Sequence, residues 1–186
     1  MGSKDSKKLV LVKKVREDAI VPAYAKPGDS GFDLIAAEDV FIEPGETAVI
    51  PTGLAFGIPE GYEIQIRPRS GVTSKSSLRV QLGTIDSGYI GEVRIIADNV
   101  KDAEFQFEYA LDDGIRIGKE HSHLVYTVDN RWTHDKYSHV DGTIIVHKGD
   151  KIAQGVLVEV PKADFFEVHE LEDTARGTAG FGSTGV

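Results

Sequence analysis

The chain contains no cysteine, so it can form neither a disulfide frame nor a thiolate metal site. That absence fits a reducing compartment, and a cytoplasmic setting is expected. No apolar run approaches the ~18 residues of a membrane-spanning helix, so no membrane span is expected. Residues 1–8 carry charge but no apolar stretch of secretory length, so no export leader is expected there. Positive charge is scarce: 21 Lys and Arg stand against 30 Asp and Glu, a net charge of −9. A sequence-independent grip on nucleic acid needs a basic face, so DNA and RNA are not expected partners. An anionic small molecule stays open if local arginines, backbone amides or a bound cation offset the overall field. A sustained apolar period of 3.6 is lacking as well, which excludes a helical bundle.

What is present is β-rich. Tyr62-Glu63-Ile64-Gln65-Ile66 alternates apolar and polar, as a half-buried strand does. Leu9-Val10-Leu11-Val12, Phe32-Asp33-Leu34-Ile35, Thr47-Ala48-Val49-Ile50, Leu54-Ala55-Phe56-Gly57-Ile58 and residues 152–160 are further strand-like runs, separated by Pro- and Gly-bearing turns. Short strands at this spacing predict an all-β barrel or sandwich. One short helix fits at residues 70–77. At 186 residues the chain suits one domain, with or without an insertion. Residues 100–148 read differently, with strand-like Phe105-Gln106-Phe107-Glu108-Tyr109 and Leu124-Val125-Tyr126-Thr127-Val128 around polar, His-bearing loops.

The organising stretch is residues 83–94. Alternating residues 77–82 precede it and Val93-Arg94-Ile95-Ile96-Ala97 follows, so the whole reads as a β-hairpin around a Gly-containing turn. Asp86 is either a turn-capping carboxylate or a base at the rim of a pocket, and Tyr89 either a core aromatic or one wall of that pocket. Arg67-Pro68-Arg69-Ser70-Gly71 follows a strand and has the parts of an anion-binding turn. The Gly-rich end, residues 176–185, reads as a frayed terminus or as a lid that orders over a ligand.

Five segments occur in the order and spacing of the homotrimeric deoxyuridine triphosphatases (dUTPases), which the chain resembles: Gly31-Phe32-Asp33-Leu34, Arg67-Pro68-Arg69-Ser70-Gly71, residues 83–92, Gly149-Asp150-Lys151-Ile152-Ala153-Gln154, and residues 176–185. The resemblance implies a jelly-roll β-barrel of residues 8–99 and 149–170, a tail of residues 171–186 that closes over the active site, a homotrimer, and hydrolysis of dUTP to dUMP and pyrophosphate with Mg2+. By the same resemblance Asp86 is the catalytic base that activates water against the α-phosphorus, and Tyr89 is the floor under the deoxyribose. The backbone of Val80, Gln81 and Gly83 reads uracil. Arg69, Ser70 and Gly71 hold phosphates, with Gln154 near the α-phosphate from another subunit. Arg176, Gly182, Ser183 and Thr184 clamp the γ-phosphate, and Phe181 stacks on the base. Asp33 helps to place the tail or its arginine. No direct protein ligand to the metal is expected, since the triphosphate and water would hold it.

Two departures stand out. Gly155 follows Gln154 where the family more often carries a larger apolar residue, which predicts looser local packing. Residues 100–148 form an inserted, β-rich excursion, similar in position and size to the extra segment of some dUTPases from phages of Gram-positive bacteria. Exposed Trp132, Tyr126 and Tyr137 make it a small local core or a protein-binding patch, so a regulatory partner is one rival reading of the chain's role. A dCTP deaminase of the same fold is another, and a structural jelly roll a third. His121 and His123 share a face if extended, but no further ligand accompanies them in the sequence.

Overall fold

A computed structural model describes residues 7–101, 110–112, 115–117, 124–134 and 139–178. In chain order come β1 (Leu11–Lys14), β2 (Phe32–Ile35), β3 (Val40–Ile42), β4 (Thr47–Gly57), β5 (Tyr62–Pro68), α1 (Ser70–Lys75), β6 (Leu78–Val80), β7 (Gly83–Asp86) and β8 (Val93–Asn99). The excursion contributes β9 (Ala110–Asp112), β10 (Ile115–Ile117), β11 (Leu124–Thr127) and β12 (Trp132–His134), and β13 (Ile144–Val146) and β14 (Lys151–Glu159) follow. Among the described residues the strands form three four-stranded sheets, β1-β4-β8-β6, β2-β14-β5-β7 and β12-β11-β13-β3, beside the antiparallel pair β9–β10.

Alternation decides which way each strand faces. Along β8, Val93, Ile95, Ala97 and Asn99 are buried while Arg94 and Ile96 are exposed, as the two-residue period of a strand dictates. Each large sheet sends such a face inward. Leu34, Ile42, Ile50, Leu54, Ile64, Leu78, Ile95, Ile144 and Ile152 are all fully buried and belong to one cluster. Burying each such side chain contributes about 1.5–3 kcal/mol, so the barrel is held chiefly by this shared interior. Its all-β, jelly-roll character agrees with the sequence expectation.

Three expectations about the strand plan change. The two runs around Pro51 are one strand, β4, with a register shift between Pro51 and Leu54. Gly53 takes φ +68° there, and the Thr52 hydroxyl donates to the Val93 carbonyl at 2.6 Å, so a bulge absorbs the proline within the sheet. The expected hairpin is an arch. β6 does pair with β8, yet residues 83–86 leave that sheet and pair with β5, Gly83 opposite Ile66 and Asp86 opposite Glu63. Residues 144–146, grouped with the excursion on sequence, are buried core and pair with β3. The Phe105–Tyr109 run lies outside the described residues.

Gly155 tightens the packing. A Cβ at this position would lie 2.5 Å from two ring carbons of Phe32 and 3.3 Å from Ile64. The Phe32 ring occupies the volume that a larger residue 155 would take, and it stacks on toward Phe56 with ring centroids 6.0 Å apart. Glycine and phenylalanine here are a reciprocal pair, which is why the expected looseness does not occur.

Candidate active site

Strands β2, β14 and β5 lie side by side, and their ends place one polar constellation. Gln154 sits opposite Asp33 on one side and Arg67 on the other. Its amide donates to the Pro68 carbonyl at 3.0 Å, and a Cβ on Gly31 would lie 2.7 Å from its Oε1, so Gly31 makes room for this side chain. Arg69 directly precedes α1. Its guanidinium donates to the Lys151 carbonyl at 2.7 Å and pairs with Asp33 at 3.1 Å. Lys151 pairs with the other Asp33 oxygen at 2.8 Å. Asp33 is therefore a shared counter-ion: one carboxylate orients two cations, so this triad keeps one net positive charge at a cavity that Asp29 and Asp150 also line. That arrangement suits an anion. At the start of α1 the Val72 and Thr73 amides both reach the Arg69 carbonyl. The preceding amides of Ser70 and Gly71 lack an intrahelical acceptor by geometry.

These residues line a cavity of about 800 Å³ that also takes in Lys75, His147 and, from the excursion, Thr127, Asp129 and Arg131. Lys151, Asp129 and Arg131 were not singled out on sequence. Lys151 lay within a quoted segment but carried no signal of its own, because its partner Asp33 is distant in the chain. Asp129 and Arg131 lie outside the five segments that carry the resemblance.

Asp86 and Tyr89 lie elsewhere. They line a separate concavity of about 400 Å³ with Val49, Thr84, Glu92, Arg94 and Ile96, and the two cavities share no residue. Asp86 ends β7 with an exposed side chain, and its carbonyl accepts the Tyr89 amide at 3.0 Å. The Tyr89 hydroxyl donates to the Glu92 carbonyl at 2.9 Å. A Cβ on Gly91 would collide with the Tyr89 ring at 2.7 Å. Glu92 in turn accepts the Gly53 amide at 2.9 Å and the Arg94 guanidinium at 3.0 Å. The turn after Asp86 is thus fixed at both ends, and Tyr89 stays 46% exposed rather than joining the core.

Of the run expected to read a base, Val80 is buried, Gln81 is exposed and Gly83 is half-buried against Ile66. The Gln81 amide is committed to the Ile96 carbonyl at 2.9 Å. Arg176 lies in a turn, residues 175–178, where the Gly177 amide donates to the Thr174 carbonyl at 3.0 Å, at the end of a segment, residues 161–178, that is exposed throughout. Phe181, Gly182, Ser183, Thr184, His121 and His123 lie outside the described residues. Among the described residues no group of three or more His, Asp or Glu could hold a metal ion, and no helix is long and apolar enough to cross a membrane.

A family model for dUTPase matches residues 17–119 and 116–185. The chain is 38% identical over 176 residues to a deoxyuridine 5'-triphosphate nucleotidohydrolase of Nautilia profundicola, covering 94% of this chain and 96% of that one. It is 39% identical over 180 residues to a protein of the same name from a Hydrogenobaculum species, covering 95% and 98%. Among solved structures, the dUTPase of Staphylococcus bacteriophage 80alpha with dUpNHpp superposes with a TM-score of 0.83 at 34% identity, over 97% of this chain and all of that one. A point mutant of the dUTPase from phage phi11 of Staphylococcus aureus, described with a structural Mg(II) ion, superposes with a TM-score of 0.78 at 31% identity, over 89% of this chain and all of that one. Bacterial and phage relatives alike match along nearly their whole length, so a chain of this size occurs in both.

Proposed function

The chain belongs to the dUTPase family and hydrolyses dUTP, and from that premise we propose that three copies share each active site, with Asp86 of one facing the phosphate-binding residues of another. The observation that carries this is the separation of the two half-sites. Arg69, Ser70, Gly71 and Gln154 line one cavity and Asp86 and Tyr89 another. Water cannot be activated by a carboxylate that lies away from the phosphate it attacks, so a second copy must bring the halves together. The surface supports association. Val49 and Ile96 are cross-strand neighbours, 54% and 47% exposed, and Leu82 and Ile90 are more exposed still. Phe165 and Phe166, 95% and 93% exposed on the C-terminal segment, need a partner surface.

In this reading Asp86 accepts a proton from the water that attacks the α-phosphorus, releasing dUMP and pyrophosphate in the cytoplasm. Tyr89, pinned through its hydroxyl, supports the deoxyribose and leaves no room for a ribose 2'-hydroxyl. Backbone of residues 80–83 reads the uracil edge, where a 5-methyl group does not fit. Arg69, Ser70 and Gly71 bind phosphate oxygens, Asp33 holds Arg69 in place, and Gln154 lies beside the α-phosphate. The tail brings Arg176, Gly182, Ser183 and Thr184 to the γ-phosphate and Phe181 to the base. Mg2+ held by the triphosphate oxygens and water would lower the charge of the nucleotide.

Pyrophosphate release measured across dUTP, dTTP, dCTP and UTP, with mass by light scattering, tests the reading. Release from dUTP at least about a hundredfold faster than from the others, by a trimer, is expected. Full activity in a monomer sinks the shared site, and ammonia from dCTP would point to the deaminase.

A second role is favoured by the edge of the β12-β11-β13-β3 sheet. Trp132 is 61% exposed on its outermost strand, β12, and an edge strand with an exposed aromatic is a docking surface for protein. The phage 80alpha enzyme is described as controlling transfer of virulence genes, and we propose that a regulatory protein docks on this edge here. Deleting residues 100–148 would also remove core strand β13, so the clean test is Trp132→Ala. That variant should keep dUTP turnover within about twofold, as expected of a surface substitution. It should weaken binding of such a partner at least about tenfold, as an interface anchor does; undiminished binding would discard the surface.

A further inference from the structure

We infer that Arg131, carried by the excursion, is a further substrate-binding residue whose guanidinium takes the triphosphate of the nucleotide gripped by Arg69, Ser70 and Gly71. The inference rests on the reading that those three residues hold phosphates. Arg131 and the turn before it line the same cavity as Arg69, Ser70, Gly71, Lys151 and Gln154.

The turn is built rather than loose. The Thr127 amide donates to the Arg131 carbonyl at 2.8 Å, and the Asn130 amide to the Thr127 carbonyl at 2.8 Å. The Arg131 amide donates to the Thr127 hydroxyl at 3.1 Å. Asn130 takes φ +62°, a left-handed geometry that asparagine tolerates. The turn is also tied to the barrel. β11 runs parallel to core strand β13, Thr127 opposite Ile145, and β13 leads directly into the turn before Lys151 and Gln154. Val125 is buried, and Lys101 lies 4.3 Å from the centre of the Tyr126 ring. The position of Arg131 over the cavity is thus set by β13, whose following turn leads into β14 and its lining residues Lys151 and Gln154.

The side chain is prepared for an anion. Asp129 accepts the Arg131 Nε at 2.8 Å while the Arg131 side chain stays 80% exposed. A guanidinium has five N–H donors, so one carboxylate contact at Nε leaves its outer fork available. Hydrogen bonds from the Thr127 hydroxyl and then Arg131 hold the Asp129 carboxyl below its ordinary range, so the orienting charge is present at neutral pH. Among the cations lining the cavity, Arg69 and Lys151 already share Asp33, and a triphosphate has charge enough for another. A planar fork matches phosphate oxygens better than an ammonium does. The competing account is an ordinary surface ion pair with Asp129, which contributes little to anything.

Calorimetric titration of the non-hydrolysable imido analogue of dUTP, and of dUMP, separates these accounts. With Arg131→Ala the Kd of the analogue should rise about 5–20-fold, the loss of an exposed charge-assisted contact. The Kd of dUMP should stay within about twofold, because the lost phosphates are the ones read. Arg131→Lys should recover part of the loss, more at low salt than at high. Unchanged analogue affinity, or equal weakening of both ligands, overturns the inference, the latter by showing a merely structural role. Arg69→Ala serves as the internal reference. If it too leaves the analogue untouched, the phosphate reading fails and this inference with it; if it weakens the analogue while Arg131→Ala does not, only the inference fails.

Discussion

Asp86→Asn is expected to lower kcat for dUTP by about 10²–10⁴-fold or more, with the Kd of the imido analogue within a few-fold of wild type. The geometry makes this a clean removal. Asp86 closes β7 opposite Glu63, and the hydrogen bond that starts the following turn uses its backbone carbonyl, which asparagine keeps. The Tyr89 anchor to the Glu92 carbonyl is likewise untouched. The substitution therefore deletes only the negative charge to which the proposed mechanism assigns the orienting of a water and the uptake of its proton. A carboxylate that served merely to cap the turn would show the opposite pattern, with a lower melting temperature and undiminished turnover. Single-turnover kinetics beside a thermal melt tells the two apart, and near-normal kcat would remove Asp86 from the mechanism.

Much of this was legible in the sequence, for reasons that follow from how the information is stored. The alternation of β5 and β8 and the segments holding Asp86, Arg69 and Gln154 are local patterns, readable within a few residues. What was not legible is held between distant residues. Period-two alternation shows that residues 83–86 are extended but not that they pair with β5 instead of folding back, so an arch between sheets passed for a hairpin. Gly155 signals a missing side chain, but only the fold shows that the Phe32 ring fills its place. Asp33, Arg69 and Lys151 meet from three strand ends, and nothing in any one segment names the other two. Pro51 looked like a break between strands because the bulge that accommodates it depends on Val93 and Glu92, some forty residues on. The excursion was the least legible part. Its turn at Asp129–Asn130 has the composition of any surface turn, and only the parallel pairing of β11 with β13 carries it to the cavity.

Asn99→Ala should be the most damaging single truncation outside the active site. Asn99 is fully buried, and every polar atom of its side chain is used. Its amide nitrogen donates to the carbonyls of Ile42 and Gly142, both at 3.0 Å. Its side-chain oxygen accepts the Ser77 hydroxyl at 2.7 Å and the Lys101 amide at 3.2 Å. Ile42 belongs to β3 and Ser77 leads into β6, while Lys101 and Gly142 stand where the excursion leaves the barrel and where it returns. One side chain therefore ties two sheets to both roots of the excursion. Alanine would strip the Ile42 and Gly142 carbonyls and the half-buried Lys101 amide of this side-chain partner and open a cavity. The combined cost is about 3–5 kcal/mol, a large share of the roughly 5–15 kcal/mol that holds a typical domain together. Asn99→Asp keeps the shape but turns an oxygen toward two carbonyl oxygens, so it should be at least as harmful at neutral pH. Ser77→Ala, which removes one of the four contacts, should cost only about 1 kcal/mol. Urea unfolding at fixed protomer concentration ranks the three variants. An Asn99→Ala midpoint no lower than that of Ser77→Ala would mean that the strands alone hold the excursion to the barrel, and that Asn99 is not what joins them.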